Sequence, residues 1–339
     1  MLRRTFLALF AVLLVVSFAG CGGDEPEAGS LVIYSGRSEA LVAPVVERFR
    51  DATGIDVRVR YGRDAELLAA LGEEGDRSEA DVFWGNTSGA LGAAAGAGLL
   101  APLPDTLLAR PSAYASSSGL WVPVTVRFRV LAYNPAAVSE ASLPTSVLDL
   151  PDLDSLRGRI GWTPTYSSFQ DFVAALDITQ GREDARGWID GMKALEPKAY
   201  PSNTPMLEAL IAGELDVALT NHYYVRRITE GEGANADAVA IHRFAPGDVG
   251  NLALVTGAGR LTTGTHEANA LRFLRFLLSD EAQTMLAENV HEYPVLRSAT
   301  VPAYLLPFDE AVRLSPRVDF EQQQETDTAL RLLRDADLL

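Results

Sequence analysis

Two adjacent phenols, Tyr223 and Tyr224, close the run Leu219-Thr220-Asn221-His222-Tyr223-Tyr224. A phenolate is a hard, anionic oxygen donor, and two from neighbouring residues can grip one small, highly charged cation. Tyr166 is a candidate third donor. A phenol ordinarily titrates near ~10, and a bound trivalent ion favours the phenolate strongly enough to strip the proton near neutral pH. A second reading stays open, in which the tyrosines bridge apolar surfaces with their hydroxyls satisfied. Nitrogen and carboxylate metal chemistry is poorly served. The 4 histidines (His222, His242, His266 and His291) include no pair at zinc-helix spacing, and no calcium loop is present.

Polar residues placed before predicted helices suggest anion chemistry. Thr165-Tyr166-Ser167-Ser168 precedes one helix, Asn203 precedes another, and Asn221 adds an amide beside the tyrosines. Hydroxyls and free amides at such points can hold a carboxylate, carbonate or phosphate. The same residue types are the usual helix caps, so capping is the competing explanation. Arg37, Arg127 and Arg129 could clamp a planar oxyanion in two-pronged fashion. Catalytic constellations are weak: there is no glycine-framed nucleophile elbow and no phosphate loop ending in lysine.

These residues need elements to carry them. Leu31-Val32-Ile33-Tyr34 reads as a buried strand. Leu41, Val42, Val45, Val46 and Phe49 follow at helical spacing, with Pro44 expected near the first turn and Thr53-Gly54 as the stop. Val57 and Val59 mark a second strand, Leu67, Leu68 and Leu71 a helix, Asp81 to Trp84 a third strand, and Ser88 to Gly98 a small-residue helix. The alternation predicts an α/β fold with a largely parallel sheet and ligands beyond the strands' carboxyl ends. Those ends lead into Ser35 to Ser38 and Gly85-Asn86-Thr87. Val122 to Tyr133, with Arg127 and Arg129 inside it, is long enough to connect two lobes. A second α/β region leads through Gly161-Trp162, a helix from Phe169, a helix holding Met206, Leu207 and Leu210, and a strand ending at the tyrosine pair. Leu252 to Val255 is a candidate second crossing, followed by helices at Ala268 to Leu278 and Ser279 to Asn289. No solenoid-length repeat is visible.

The chain opens with Met1-Leu2-Arg3-Arg4, an uncharged apolar run from Thr5 to Phe18, and Ala19-Gly20-Cys21. Residues 1–20 read as an export signal, too short for a comfortable membrane span. The junction resembles a bacterial lipobox, with Cys21 as the lipid attachment site. An ordinary signal peptide with an incidental cysteine is the alternative. Arg3-Arg4-Thr5-Phe6-Leu7 also resembles a twin-arginine signal, and the Sec route stays equally open. Residues 21–30 are acidic and glycine-rich, as in a tether. Cys21 is the 1 cysteine of the 339 residues, which excludes disulfides, thiolate metal clusters and a cysteine nucleophile in the folded body. The body of about 310 residues is large enough for two lobes. A formal net charge of −16, with lysine only at 193 and 198, argues against nucleic acid and anionic lipid as partners. Solubility alone accounts for most of that charge.

Several blocks resemble the periplasmic ferric-binding proteins of bacterial iron-uptake transporters. They are Val32-Ile33-Tyr34-Ser35-Gly36-Arg37, Thr53-Gly54-Ile55-Asp56-Val57, Ala80-Asp81-Val82-Phe83, Gly98-Leu99-Leu100-Ala101-Pro102, Ala212 to Ala218, Asn221-His222-Tyr223-Tyr224 and Glu292-Tyr293-Pro294-Val295. The resemblance covers nearly all of the chain after the tether, and the last two blocks are its specific part. It implies a type II periplasmic-binding-protein fold, each lobe a mostly parallel sheet flanked by helices, joined by hinge crossings. The expected division is an N-lobe at 31–129 with a return at 254–304, a C-lobe at 130–253, and C-terminal helices at 305–339 packing on the C-lobe.

The same resemblance implies ferric iron (Fe3+) as transported ligand, held by Tyr223 and Tyr224 with Tyr166 a possible third. A synergistic anion such as carbonate, phosphate or citrate would sit near Tyr166, Thr165, Ser167, Ser168, Asn203 and Asn221, neutralised by Arg37 or Arg127. Some relatives supply a histidine after the first strand and a glutamate after the third. Here those places hold Arg37-Ser38 and Gly85-Asn86, so external oxygen donors become obligatory and the iron could arrive chelated. The expected role is a solute-binding lipoprotein without enzyme activity. It would be a monomer, in the periplasm or anchored through Cys21 to the outer face of the cytoplasmic membrane, feeding an ABC permease. A receptor for a phosphorylated sugar or phosphonate, using the same anion cradle, is the alternative. An exported lipid-anchored hydrolase comes third.

Overall fold

Leu31 to Tyr34 lie buried in the middle of a sheet, as an uninterrupted apolar run requires. The computed structural model describes residues 29–230, 235–318 and 326–339. The export signal, Cys21 and most of the tether fall outside the described residues. The strands are β1 (Ser30–Ser35), β2 (Asp56–Tyr61), β3 (Val82–Gly85), β4 (Val122–Tyr133), β5 (Ile160–Trp162), β6 (Lys198–Ala199), β7 (Val217–Asn221), β8 (Ala240–His242), β9 (Ala253–Arg260) and β10 (Tyr293–Pro294). The helices are α1 (Glu39–Thr53), α2 (Asp64–Glu74), α3 (Ser88–Gly96), α4 (Asp105–Leu108), α5 (Ser167–Gln180), α6 (Arg182–Ala194), α7 (Asn203–Ile211), α8 (His222–Thr229), α9 (Glu267–Leu277), α10 (Asp280–Val290), α11 (Phe308–Leu314) and α12 (Thr326–Asp335). None of the described helices is long and apolar enough to cross a membrane.

Strand β1 pairs in parallel with β2 and β3. Helix α1 makes the first crossover and stops where Gly54 adopts φ 70°, its amide returning to the Arg50 carbonyl. Pro44 lies inside α1 rather than in its first turn, so the helix forgoes one backbone hydrogen bond there. In the second region β5 pairs in parallel with β6 and β7.

Two antiparallel strands join these halves. Every residue of β4 is buried. Its Val122–Phe128 stretch pairs with β9, whereas Arg129–Tyr133 pairs with β7. Pro123, which has no N–H to donate, sits at the register shift between Pro123 and Thr125. The buried cores divide at the same point. Val122, Val124, Val126 and Phe128 join a cluster with β1, α1, α9 and α10, while Leu131 and Tyr133 join one with α5 and α6. On the return, Ala253 and Val255 belong to the first cluster, Leu252 and Leu254 to the second. The fold is therefore two α/β lobes with β4 and β9 as hinge crossings, which are the two runs expected to cross.

The C-terminal segment departs from expectation. Residues 305–339 were expected on the C-lobe, yet Leu305 and Ala311 of the α11 region pack into the first cluster. Among the described residues, α12 packs into the second through Ala329, Leu332 and Leu333, with Val318 and Leu338 against the same cluster. The physical reason is continuity: the segment after β10, which pairs with β4 at Val126 and Thr125, is still on the first lobe when α11 forms.

Candidate functional site

Strands β6, β5 and β7 run parallel, so their carboxyl ends open along one edge, and they feed α7, α5 and α8 in turn. Three helix N-termini thus face the same region. Tyr166, Ser202 and Asn221 occupy their N-cap positions, and none makes a side-chain cap bond. Capping therefore does not explain why these polar residues are there.

The side chains turn toward one another instead. The Tyr166 and Tyr224 hydroxyls are 2.8 Å apart. The Tyr223 and Tyr224 rings lie 4.2 Å apart between centroids, tilted by 31°. Tyr223 and Tyr224 are buried, and Tyr166 is half-buried. Asn203 accepts a bond from the Thr220 hydroxyl at 3.1 Å, and Asn221 accepts one from Arg129 Nη1 at 3.1 Å. That leaves Asn203 Nδ2, Asn221 Nδ2, Ser168 Oγ, Thr163 Oγ1, Arg127 Nε and Arg129 Nη2 buried without partners. Each such atom costs about 1–3 kcal/mol if nothing meets it. Buried donors of this kind can be met by a ligand rich in acceptor oxygens.

The opposite wall comes from the N-lobe. Arg37 follows β1 and Asn86 follows β3. Arg37 Nη2 donates to Glu292 Oε1 at 2.8 Å and Nη1 to Asn86 Oδ1 at 2.9 Å. Arg127 holds the same asparagine, through its backbone carbonyl at 2.8 Å and its Oδ1 at 3.3 Å. Asn86 Nδ2 reaches Ser167 Oγ across the cleft at 3.4 Å. The Thr125 hydroxyl donates to the second oxygen of Glu292. Arg129, fully buried, lies 5.7 Å from the Phe172 ring centroid and 6.0 Å from that of Phe169.

Burial sets the protonation of these groups. It pushes the Tyr223 phenol up to about 12 and raises Tyr166 and Tyr224 as well, each tyrosine reinforcing another, while Arg127 pulls all three back. The phenols are therefore neutral until a cation displaces their protons. Burial also acts against Glu292, but Arg37 and Arg127 outweigh it and hold this carboxyl below the usual range. Burial raises Asp64 to about 6 and Asp171 to about 7, against the pull of nearby arginines. Arg129 is lowered to about 9 by burial. The walls thus combine three phenols with guanidinium charge that only Glu292 fully answers.

The structure brings together Tyr166, Tyr223, Tyr224, Ser167, Ser168, Asn203, Asn221, Arg37 and Arg127. Thr165 is left out: the turn closed by the Tyr166 amide on the Thr163 carbonyl exposes it, and Thr163 is the buried hydroxyl. Sequence reasoning missed the contacts of Glu292, Asn86, Thr163, Asp64 and Asp171. Glu292 stood in a noted block, but its partner Arg37 is 255 residues away, a separation no local pattern reveals. Among the described residues no group of three or more His, Cys, Asp and Glu could hold a metal.

Comparison with known proteins agrees with this geometry. Residues 45–304 match the family model described as bacterial extracellular solute-binding protein. The chain is 32% identical over 335 residues to the Fe(3+)-binding periplasmic protein of Serratia marcescens, covering 98% of this chain and 97% of that one. It resembles the crystal structure of iron-bound HitA from Pseudomonas aeruginosa at a TM-score of 0.84 and 36% identity, covering 90% of this chain and 98% of that one. It also resembles Trichodesmium FutA in complex with iron and citrate, with a TM-score of 0.79 and 26% identity over 92% of this chain and 100% of that one. The two lobes are accordingly those of a type II periplasmic binding protein, and the relatives are solute-binding proteins, not enzymes. From its fold, its family model and its full-length likeness, this chain belongs to the bacterial extracellular solute-binding proteins, among the periplasmic ferric-binding proteins.

Proposed function

We propose that this protein captures ferric iron outside the cytoplasm and delivers it to the permease of an ABC importer. Tyr166, Tyr223 and Tyr224 supply three phenolates, whose charge balances one Fe3+. Three oxygens leave half of an octahedron open, and an anion fills the rest. The amides of Asn203 and Asn221, the Ser168 hydroxyl and the Arg127 and Arg129 guanidiniums hold that anion. The observation that carries this reading is the Tyr166–Tyr224 contact at 2.8 Å, ringed by buried donors that have no partner.

Arg37 and Asn86 stand where some relatives have a histidine and a glutamate. Here they are bonded to each other, so the N-lobe gives no direct ligand and neutralises the anion instead. The ion on the C-lobe tyrosines and its anion against the N-lobe arginines together favour the closed molecule. The lobes divide at 31–129 with 254–304, and at 130–253. The protein acts as a monomer, and lipid on Cys21 tethers it to the membrane.

Titration of the purified protein with ferric citrate tests the reading. A visible phenolate-to-iron absorption band should appear, survive desalting and weaken in Tyr223→Phe or Tyr224→Phe. A colourless protein that retains a sugar phosphate, and tolerates Tyr224→Phe, would replace iron with a phosphorylated ligand in the same cradle.

A further inference from the structure

Helix α8 begins beside the tyrosine pair, yet both of its ends are tied to the other lobe. At its start, His222 Nδ1 accepts the Phe128 amide at 3.1 Å and Nε2 donates to the His291 carbonyl at 3.0 Å. Just past its end, Glu230 Oε2 meets His291 Nε2 at 3.0 Å. His291 Nδ1 bonds the Tyr304 hydroxyl, and the Arg226 guanidinium lies 4.3 Å over the Tyr304 ring. Arg226 also pairs with Glu230.

His291 is thus the common partner, with its carbonyl on one end of α8 and its ring on the other. It belongs to the N-lobe, at the C-cap of α10, whose Leu286 and Val290 pack in the first core with Tyr293. Its backbone is held at φ 61°, in the left-handed region where a side chain other than glycine is strained. A glycine would fit that conformation better, so a function for the imidazole is indicated. Burial keeps the ring below its usual titration range, with Arg226 and Arg227 acting the same way against Glu230. The neutral ring then donates from Nε2 to Glu230 and accepts the Tyr304 proton at Nδ1.

We propose that His291 is a positioning residue that clasps both ends of α8 and so couples closure of the lobes to the orientation of Tyr223 and Tyr224. The proposal rests on the iron reading for its consequence, but the clasp itself is measurable without metal. The test compares His291→Gly, which removes the imidazole and relieves the backbone, with His291→Gln, which keeps an amide donor for Glu230. Hydrogen exchange of the 222–230 amides is followed in metal-free protein, and ferric release to a chelator in loaded protein. In His291→Gly the amides should exchange about tenfold faster and iron should leave about tenfold faster, with a shifted absorption band. His291→Gln should recover most of both. Unchanged exchange in His291→Gly, or a glutamine variant as loose as the glycine one, overturns the clasp. Faster exchange with unchanged iron release overturns its coupling to the tyrosines. If the wild type takes up no iron, the iron reading falls, and the exchange comparison alone decides the clasp.

Discussion

The two walls of the cleft are built on opposite principles. The C-lobe wall presents open bonds: neutral phenols, uncapped helix starts and amide donors without partners. The N-lobe wall presents bonds already made, with Arg37 on Glu292 and Asn86, and Arg127 on Asn86. The C-lobe wall carries most of the unmet donors, while on the N-lobe wall Arg127 Nε is left open and the other arginine bonds are made. Under the proposed function, the contrast gives most of the grip to the C-lobe and most of the neutralisation to the N-lobe.

The sharpest way to break this contrast is to remove a phenol. Tyr224→Phe should weaken ferric binding by at least about a hundredfold, because even outer-shell partners of metal ligands cost about 10–100-fold. Isothermal titration with ferric citrate measures this, and an unaltered affinity would end the C-lobe assignment. On the other wall Glu292→Gln leaves the buried Arg37 charge unanswered. Loss of a buried partner costs about 3–5 kcal/mol, so the urea midpoint should drop well below that of wild type while any iron band stays at the same wavelength. A smaller effect belongs to the cradle: Asn203→Asp, which keeps the acceptor for the Thr220 hydroxyl and removes the free amide, should loosen anion-dependent iron retention by about tenfold, read by ferric release to a chelator.

A separate effect, on stability rather than on iron, is on pH. Asp171 has a folded value of about 7 and an ordinary unfolded one near ~3.9. Between these the folded state holds a proton that the unfolded chain has lost, so stability falls as pH rises from about 4 to about 7. Asp171→Asn should therefore raise the denaturation midpoint above pH 7 and match wild type near pH 4. A variant that is less stable at pH 8 would mean that ionised Asp171 is needed by Arg127 and Arg129.

Much of this was readable in one dimension. The apolar run at Leu31 and the helical spacing from Leu41 to Phe49 foretold β1 and α1, because a covered strand and a helix impose different periods on apolar residues. The first hinge strand was legible as a long β-rich run, and the second only through the short run Leu252 to Val255, which marks the start of β9. The tyrosines, Ser168, Asn203 and Asn221 were legible by type, but helix capping explained the polar ones equally well. Only the absent cap bonds and the unpaired amides separated the two accounts. Thr163, and not Thr165, is the buried hydroxyl of this turn, because the Tyr166 amide closes it on the Thr163 carbonyl.

Residue types and spacing alone determined that this chain carries an adjacent tyrosine pair, no histidine pair at zinc-helix spacing and one cysteine, and that it alternates strands with helices. Those facts depend on side-chain identity and local spacing, which a linear string carries completely. Which arginine meets which acid, whether α11 lies on one lobe or the other, and that His291 reaches both ends of α8 were decided in three dimensions. Such pairings join residues tens to hundreds of positions apart, and they are selected by the packing of whole lobes, not by any preference of the neighbours in sequence.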